Sequence, residues 1–402
     1  MSKDIKRIKL KLKSEDSTTL SGWQLQEFIK NVNKGYCKLD IINEISRLIN
    51  QGEKPENIII INKSYDINNA YTYLQKSNEI DLNKLSTIEN LYHLGIPVSM
   101  YPNKRIKDIA IIFTLYSKIY TLFNRENIPV ISKDKLKEYI NVDIDTAIDT
   151  ITKDSKSIMS KLKMGTENIL KATNDKLDNI IDESKKELKK YIDNQDNIIK
   201  FNEISNNELK EIKDSDKELY SKIQSEYYSE FFRLLNSVDR PIVLRYDDKN
   251  NKLIVIKKEY MLNDVDSENF LDFKDYSHNS PFVITIIAGA TISLILALLY
   301  QASKEEKVND EKAIKNKSIE EKLDKELEEI ILELASSSEL NQTNEVENQY
   351  IKKELDNLKN TLNENIEKTL ERRGINYNNI VIDIEEYKKS RINKSKDTGM
   401  RN

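Results

Sequence analysis

The chain has 402 residues, of which 33% are charged, and a formal net charge of −4. Its single cysteine, Cys37, excludes an internal disulfide and a metal site built from several cysteines. The only histidines are His93 and His278, which excludes a histidine-rich zinc site. The eight glycines are too far apart for a phosphate-binding glycine loop. We therefore predict no catalytic residue, no cofactor and no metal.

Residues 1–140 predict a small α/β domain. Near its start, Ile8, Leu10 and Leu12 alternate with lysines, which is typical of a half-buried strand. The run NIIIIN at 57–62 predicts a short strand that is buried on both faces.

Helices fill the rest of this domain. Ser21 is a good N-cap for a first helix, and a second helix with apolar residues at spacings of three and four should end at Gly52. A longer apolar face, from Asn103 to Asn124, predicts another helix.

Two shorter helices are predicted between these elements. One begins at Asp66 and runs through Leu74. For the other, Ser86 and Glu89 have the spacing of a capping box, and Gly95 should end the helix. His93 would then lie near the helix C-terminus, where an imidazole can interact with the helix dipole.

Residues 141–237 predict long charged helices. Apolar and small residues recur at steps of three and four, as in the seam of a weak coiled coil. An amphipathic helix that packs on another element, or solvated helices in a bundle, would give the same pattern. The seam residues are Ile144, Ile148, Ile151, Ser155, Ile158, Leu162, Leu170, Thr173, Leu177, Ile180, Ser184, Leu188, Tyr191, Gln195 and Ile198.

The polar regions on either side of residues 282–300 predict four further segments. Residues 238–262 predict a β-hairpin, because two β-branched runs flank a five-residue polar loop. Residues 263–281 read as a polar linker. A second helical or coiled-coil region is predicted over 301–374, and a short strand and basic tail over 375–402.

Residues 282–300 form the most apolar segment of the chain. These nineteen residues carry no charge, and they have the length that one helix needs to cross a bilayer. We predict a single transmembrane helix here, since a buried core helix is usually shorter. Its small residues offer a face for packing against another helix. The residues that mark this span are Phe282, Ile286, Ala288, Gly289, Ala290, Ser293, Leu296 and Tyr300.

The two flanks of the span give opposite indications of its orientation. Residues 267–281 contain one basic residue and residues 302–316 contain four, so the positive-inside rule places the C-terminal side in the cytoplasm. The first thirty residues contain no signal-peptide pattern, which favours a cytoplasmic N-terminal domain. We expect the N-terminal domain in the cytoplasm.

This architecture predicts a non-enzymatic, single-span membrane protein that acts in interaction, sensing or assembly through its N-terminal domain and helical arms. The expected partners are a lipid bilayer, a second copy through the helical arms and a protein of unknown identity. Nucleic acid is not expected.

Two other functions stay open. A helical pore-forming or membrane-disrupting effector would insert residues 282–300 only on activation. An enzyme would need a pocket in residues 1–140 that gathers carboxylates such as Asp40, Glu44, Asp66 and Asp81.

Overall fold

A computed structural model of the chain is mostly helical, with two antiparallel sheets. This confirms the predicted mainly α fold class. The structure describes residues 8–13, 21–65, 74, 77–162, 167–207, 227–256, 272–277, 283–288, 345–372 and 380–383.

The helices and strands follow the chain in this order. The strands are β1 Ile8–Lys13, β2 Ile58–Ile61, β3 Glu79–Asp81, β4 Pro97–Ser99, β5 Val243–Asp247, β6 Lys252–Val255, β7 Asp272–Ser277, β8 Val283–Ala288 and β9 Ile380–Asp383. The α-helices are α1 Gly22–Asn50, α2 Leu85–Leu94, α3 Lys104–Arg125, α4 Leu136–Ile140, α5 Ile144–Ser160, α6 Glu167–Asn207, α7 at 227–237 and α8 Glu345–Glu371. Short 3-10 turns lie at Pro55–Asn57 and Lys133–Lys135.

The chain divides into two compact units. Unit 1 combines Met1–Gln51, Leu262–Asn341 and Lys353–Asn402, and unit 2 combines Gly52–Met261 and Gln342–Lys352.

Unit 1 contains a sheet with the strand order β7-β8-β1-β9. Leu10 lies opposite Ile286 on one side and opposite Ile382 on the other. The next residue, Lys11, lies opposite Thr285. The predicted N-terminal strand is therefore confirmed.

The predicted transmembrane helix is wrong for the described part of residues 282–300. Residues 283–288 read VITIIA and form strand β8, which pairs with β7 and with β1. Val, Ile and Thr branch at Cβ, which favours an extended backbone over a helix. Strand β7 also occupies residues that the sequence predicted as polar linker.

Helix α1 is one continuous helix of 29 residues, where the sequence predicted two. Ser21 caps it, and a capping box with Gln24 holds its first turn, as predicted. Gly35 lies in the middle, where a Cβ would be 2.8 Å from Cδ1 of Ile366 on α8. The glycine therefore allows a side chain of α8 to approach the backbone of α1 closely.

Unit 2 contains a sheet with the order β3-β6-β5-β2-β4, and every pairing is antiparallel. The predicted hairpin is present as β5 and β6, and it completes this sheet by pairing with β2 and β3. All four residues of β2 are fully buried, which confirms the predicted buried strand.

Helix α3 is the centre of the unit 2 core. It begins after the N-cap Asn103, as predicted, and packs against β4, α5 and α6. Helix α2 ends at Gly95, also as predicted, but it begins at Leu85 without a side-chain cap. The predicted capping box of Ser86 and Glu89 is therefore wrong.

Helix α6 packs on α3 and α5 as an amphipathic helix, one of the alternatives for the predicted seam. Its buried apolar residues belong to the same core as those of α3 and α5; they are Leu177, Ile181 and Leu188. Ion pairs flank this stripe and tie α6 to its two neighbours. They are Lys107–Glu187, Lys118–Glu183, Lys156–Asp178, Lys176–Glu126 and Lys185–Asp149.

Candidate functional site

The candidate site lies at the C-terminal end of α2, where His93 meets the segment that leads into α4. Nε2 of His93 is 3.1 Å from Nζ of Lys133. A lysine ammonium can only donate, so Nε2 must accept this hydrogen bond. The contact therefore requires a neutral imidazole with its proton on Nδ1.

Aromatic rings pack beside the contact of His93 with Lys133. The ring of Tyr92 meets that of His93 edge-on, with centroids 5.6 Å apart, and meets Tyr116 in the same way at 5.3 Å. Tyr120 stacks on Tyr116, and the ammonium of Lys133 is 5.9 Å from the centroid of the Tyr120 ring. This distance is within the range of a cation–π interaction. We call His93, Lys133, Tyr92, Tyr116 and Tyr120 the His93 cluster.

A backbone contact fixes the segment that carries Lys133. The hydroxyl of Tyr116 donates a 2.6 Å hydrogen bond to the carbonyl of Ile131, and both residues are buried. Burial is the main reason that the pKa of Tyr116 is raised well above its ordinary value, so the hydroxyl stays protonated and keeps donating. Lys133 therefore approaches His93 from a segment that is anchored to α3.

The charge around His93 is positive. The pKa of His93 is lowered, first by burial and then by the nearby cations of Lys133 and Lys63. Within the described ranges, neither lysine has a carboxylate within ion-pair distance. The carboxylates of Glu89 and Asp134 lie close enough to contribute to the raised pKa of Tyr116, but they do not pair with either cation.

A compensated lysine two residues away provides a contrast. Nζ of Lys135 is 2.7 Å from Oδ2 of Asp154, and this oxygen also accepts a 2.7 Å hydrogen bond from Tyr139. Burial alone would raise the pKa of Asp154, but the hydrogen bonds from Lys135 and Tyr139 outweigh it and lower that pKa. Lys135 therefore has the usual structural role of a lysine in an ion pair, which Lys133 does not have.

The residues predicted for a membrane site do not come together in a described helix. Ile286 and Ala288 lie in strand β8. The other span residues lie outside the described residues; they are Phe282, Gly289, Ala290, Ser293, Leu296 and Tyr300. Across the helices that the structure describes, none combines the length and the apolar character of a membrane span.

Two of the carboxylates named for an enzyme in residues 1–140, Glu44 and Asp81, are held by local partners. Glu44 pairs with Arg47 one turn along α1. Asp81 accepts from the backbone of Asn83 and pairs with Lys84, which lowers its pKa. Asp66 lies outside the described residues. Within the described ranges, no group of three or more histidine, cysteine, aspartate or glutamate side chains could hold a metal ion.

No protein-family model, no curated protein and no solved structure matches this chain.

Sequence reasoning placed His93 at the end of its helix, where the structure has it. It could not associate His93 with Lys133, because 40 residues separate the two along the chain. The available signal was the lone histidine itself, whose role depended on contacts from another element.

Proposed function

We propose that this chain is a non-enzymatic interaction protein, in which unit 2 binds a partner or signal at the His93 cluster and the long helices contribute assembly contacts. One observation carries the proposal: Lys133 donates to an imidazole instead of a carboxylate, with Lys63 also close to that imidazole. Natural proteins break local rules of charge compensation chiefly at functional sites.

The physical argument concerns cost. An ammonium that is partly removed from water without an opposite charge is unfavourable, and a second cation nearby adds repulsion. A lysine retained for folding should stabilise the fold, whereas one retained for binding can destabilise it. The two roles therefore differ in the sign of their effect on stability.

Two matched lysine substitutions test this role. We expect Lys133→Met to leave the free energy of unfolding unchanged or to raise it, because methionine preserves the aliphatic stem and removes the uncompensated charge. We expect Lys135→Met to lower it by about 1 kcal/mol, because Asp154 loses its cation. Urea denaturation followed by circular dichroism measures both. If Lys133→Met destabilises the protein as much as Lys135→Met does, Lys133 is a structural residue and the proposal fails.

Helix α6 supports the assembly part of the proposal. Its last described buried side chain is Leu188, yet the helix continues for about 28 Å to Asn207. Ile192, one turn beyond Leu188, is 47% exposed. The predicted seam continues past this point through Tyr191, Gln195 and Ile198, and Ile192 lies beside it on the helix, so we propose that a second copy of the chain pairs along this surface. Sedimentation should show a concentration-dependent dimer that Ile192→Glu weakens; a monomer at every concentration would contradict this.

A second candidate function is an effector that inserts residues 282–300 into a membrane on activation. Strand β8 favours it over a permanent anchor, because β8 is hydrogen-bonded to a strand on both sides. Insertion as a helix would first require these pairings to break. Membrane association would therefore depend on a trigger.

A disulfide lock tests this candidate. Leu10 and Ile286 are directly opposed in β1 and β8, at a separation that suits a disulfide. In a Cys37→Ala background, the pair Leu10→Cys and Ile286→Cys should block dye release from vesicles under oxidising conditions and permit it after reduction. If the oxidised and reduced proteins release dye equally, insertion does not require β8 to separate from β1.

A further inference from the structure

We infer that the His93 cluster, together with Lys63, is a binding site for a small anion of the phosphate class. The inference rests on the proposed function and identifies the chemistry of its ligand. Three nitrogen groups from three separate elements define the site: Lys63 just after β2, His93 in the last turn of α2 and Lys133 in the turn before α4.

The first argument is the missing counter-charge. All three lysines of α3 pair with carboxylates: Lys104, Lys107 and Lys118 do so at 2.8, 2.8 and 2.9 Å. Lys63 and Lys133 have no such partner among the described residues, although acidic residues are as common as basic ones in this chain. An anion would provide the charge that is missing.

The second argument is the state of the imidazole. In the ligand-free arrangement, Lys133 occupies Nε2 of His93. If an anion accepts the hydrogen bond of the Lys133 ammonium, Nε2 of His93 loses that donor and can bind a proton. The protonated ring can then donate a hydrogen bond to the same anion. Phosphate has several acceptor oxygens, so it can accept from both lysines and from the imidazolium.

Opposing groups set limits on this site. The carboxylates of Glu89 and Asp134 and the C-terminal end of α2 all disfavour an anion. Burial raises the pKa of Tyr92, so its hydroxyl takes up no charge near neutral pH. With the imidazole neutral, two lysine ammonium groups face two carboxylates that lie outside ion-pair range. Protonation of His93 adds a third cation and makes the balance positive, and the partial burial of His93 strengthens the attraction.

The ligand should change the protonation of His93, and this gives a direct measurement. The chain has only two histidines, so the Hε1 proton signals of His93 and His278 can be assigned with the variant His278→Gln. We expect His93 to titrate below the ordinary value of a histidine in chloride buffer. Addition of inorganic phosphate at constant ionic strength should raise the pKa of His93 by about one unit if the protonated form binds tenfold more tightly.

Two variants separate this site from a general effect of salt. Lys133→Met should abolish the phosphate-dependent change at His93, whereas Lys135→Met, which removes a paired lysine two residues away, should retain it. A change of the same size with sulfate would widen the ligand to oxyanions in general. No change with phosphate or with sulfate, or a change that persists in Lys133→Met, would overturn the inference.

A further arm distinguishes free phosphate from a lipid headgroup. The protein should not sediment with vesicles of phosphatidylcholine alone. If a lipid headgroup is the natural ligand, the protein should sediment with vesicles that also contain phosphatidic acid, and this binding should require Lys63 and Lys133. If neither phosphate nor these vesicles bind, but Lys133→Met still leaves stability unchanged or higher, the anion inference fails and the proposed binding function stands.

Discussion

The hydroxyl of Tyr139 donates a 2.7 Å hydrogen bond to Oδ2 of Asp154 and so joins α4 to α5. Tyr139 is fully buried, and its pKa is raised, first by that burial and then by the hydrogen bond to Asp154. The phenol therefore remains a donor throughout the neutral range. This contact holds the element that follows Lys133 in the chain.

We expect Tyr139→Phe to lower the free energy of unfolding by about 1–2 kcal/mol, because Asp154 loses a hydrogen bond inside a partly buried site. Asp149→Asn is the matched control on the same helix, since its carboxylate is 75% exposed and its ion pair with Lys185 is long at 3.5 Å. That control should change stability by less than about 0.5 kcal/mol. If both variants lower the free energy of unfolding equally in urea denaturation, the Tyr139–Asp154 hydrogen bond contributes no measurable stability.

Acid should weaken the same contact. The pKa of Asp154 is lowered in the folded protein, so the unfolded chain takes up a proton first as the pH falls. Its contribution to stability is present above the unfolded value of about 3.9 and is lost as the pH falls through the folded pKa. Asp154→Asn should remove this part of the acid dependence of unfolding. An unchanged acid profile would contradict the assignment.

His93 should make stability depend on pH in a higher window. Because its folded pKa is lowered, the unfolded chain binds the proton first, and the free energy of unfolding should fall as the pH drops below about 6.5. The fall should end below the folded pKa. His93→Gln retains an acceptor for Lys133 but cannot titrate, so it should flatten the profile. The idea is wrong if His93→Gln and the unaltered protein have the same profile.

Gly95 is required by its backbone conformation and by a close contact. Its φ is +139°, and a Cβ at this position would lie 2.8 Å from Oδ1 of Asn62, the atom that accepts from the backbone N–H of Ile96 at 2.9 Å. We expect Gly95→Ala to destabilise the protein by about 2–4 kcal/mol, from backbone strain and a disturbed hydrogen bond.

Gly52 provides the control for this substitution. It also has a positive φ, +86°, but no atom lies within 4 Å of a Cβ placed there. Gly52→Ala should therefore cost only the backbone term, about 1 kcal/mol. If thermal unfolding shows the same loss of stability for both variants, the contact with Asn62 contributes nothing to the effect of Gly95→Ala.

Helix α6 offers a test of where its packing ends. Leu177 is fully buried in the core, whereas Ile192 on the same helix is 47% exposed. Leu177→Ala should cost about 2–5 kcal/mol, and Ile192→Ala less than about 1 kcal/mol in dilute monomer. A large loss from Ile192→Ala that grows with protein concentration would instead identify it as part of the dimer contact.

The local elements of this fold were readable from the sequence wherever the signal lay within a few residues. Ser21 and Asn103 begin their helices because their side chains accept from the free backbone N–H groups of the first turn. Strand β2 was readable from four successive isoleucines between polar residues.

Pairings between distant segments were not readable. The residues VITIIA of β8 suit an extended strand, but the same apolar residues begin a run that is long enough for a membrane helix. Only the pairing with β1, from the other end of the chain, decides between them. The contact of His93 with Lys133 has the same origin, because no pattern near His93 indicates a lysine from another element.

The position of β1 between β8 and β9 has a consequence for synthesis. Lys9 pairs with Ile287 and with Asp383, so β1 needs partners made 278 and 374 residues later. At about 5–20 residues per second, the second partner leaves the ribosome roughly 20–75 s after the first strand. The 210 residues from Gly52 to Met261 belong to unit 2 and can fold in that interval. Charged residues on a strand that waits for its partners reduce its tendency to aggregate, and the alternating lysines of β1 are residues of this kind.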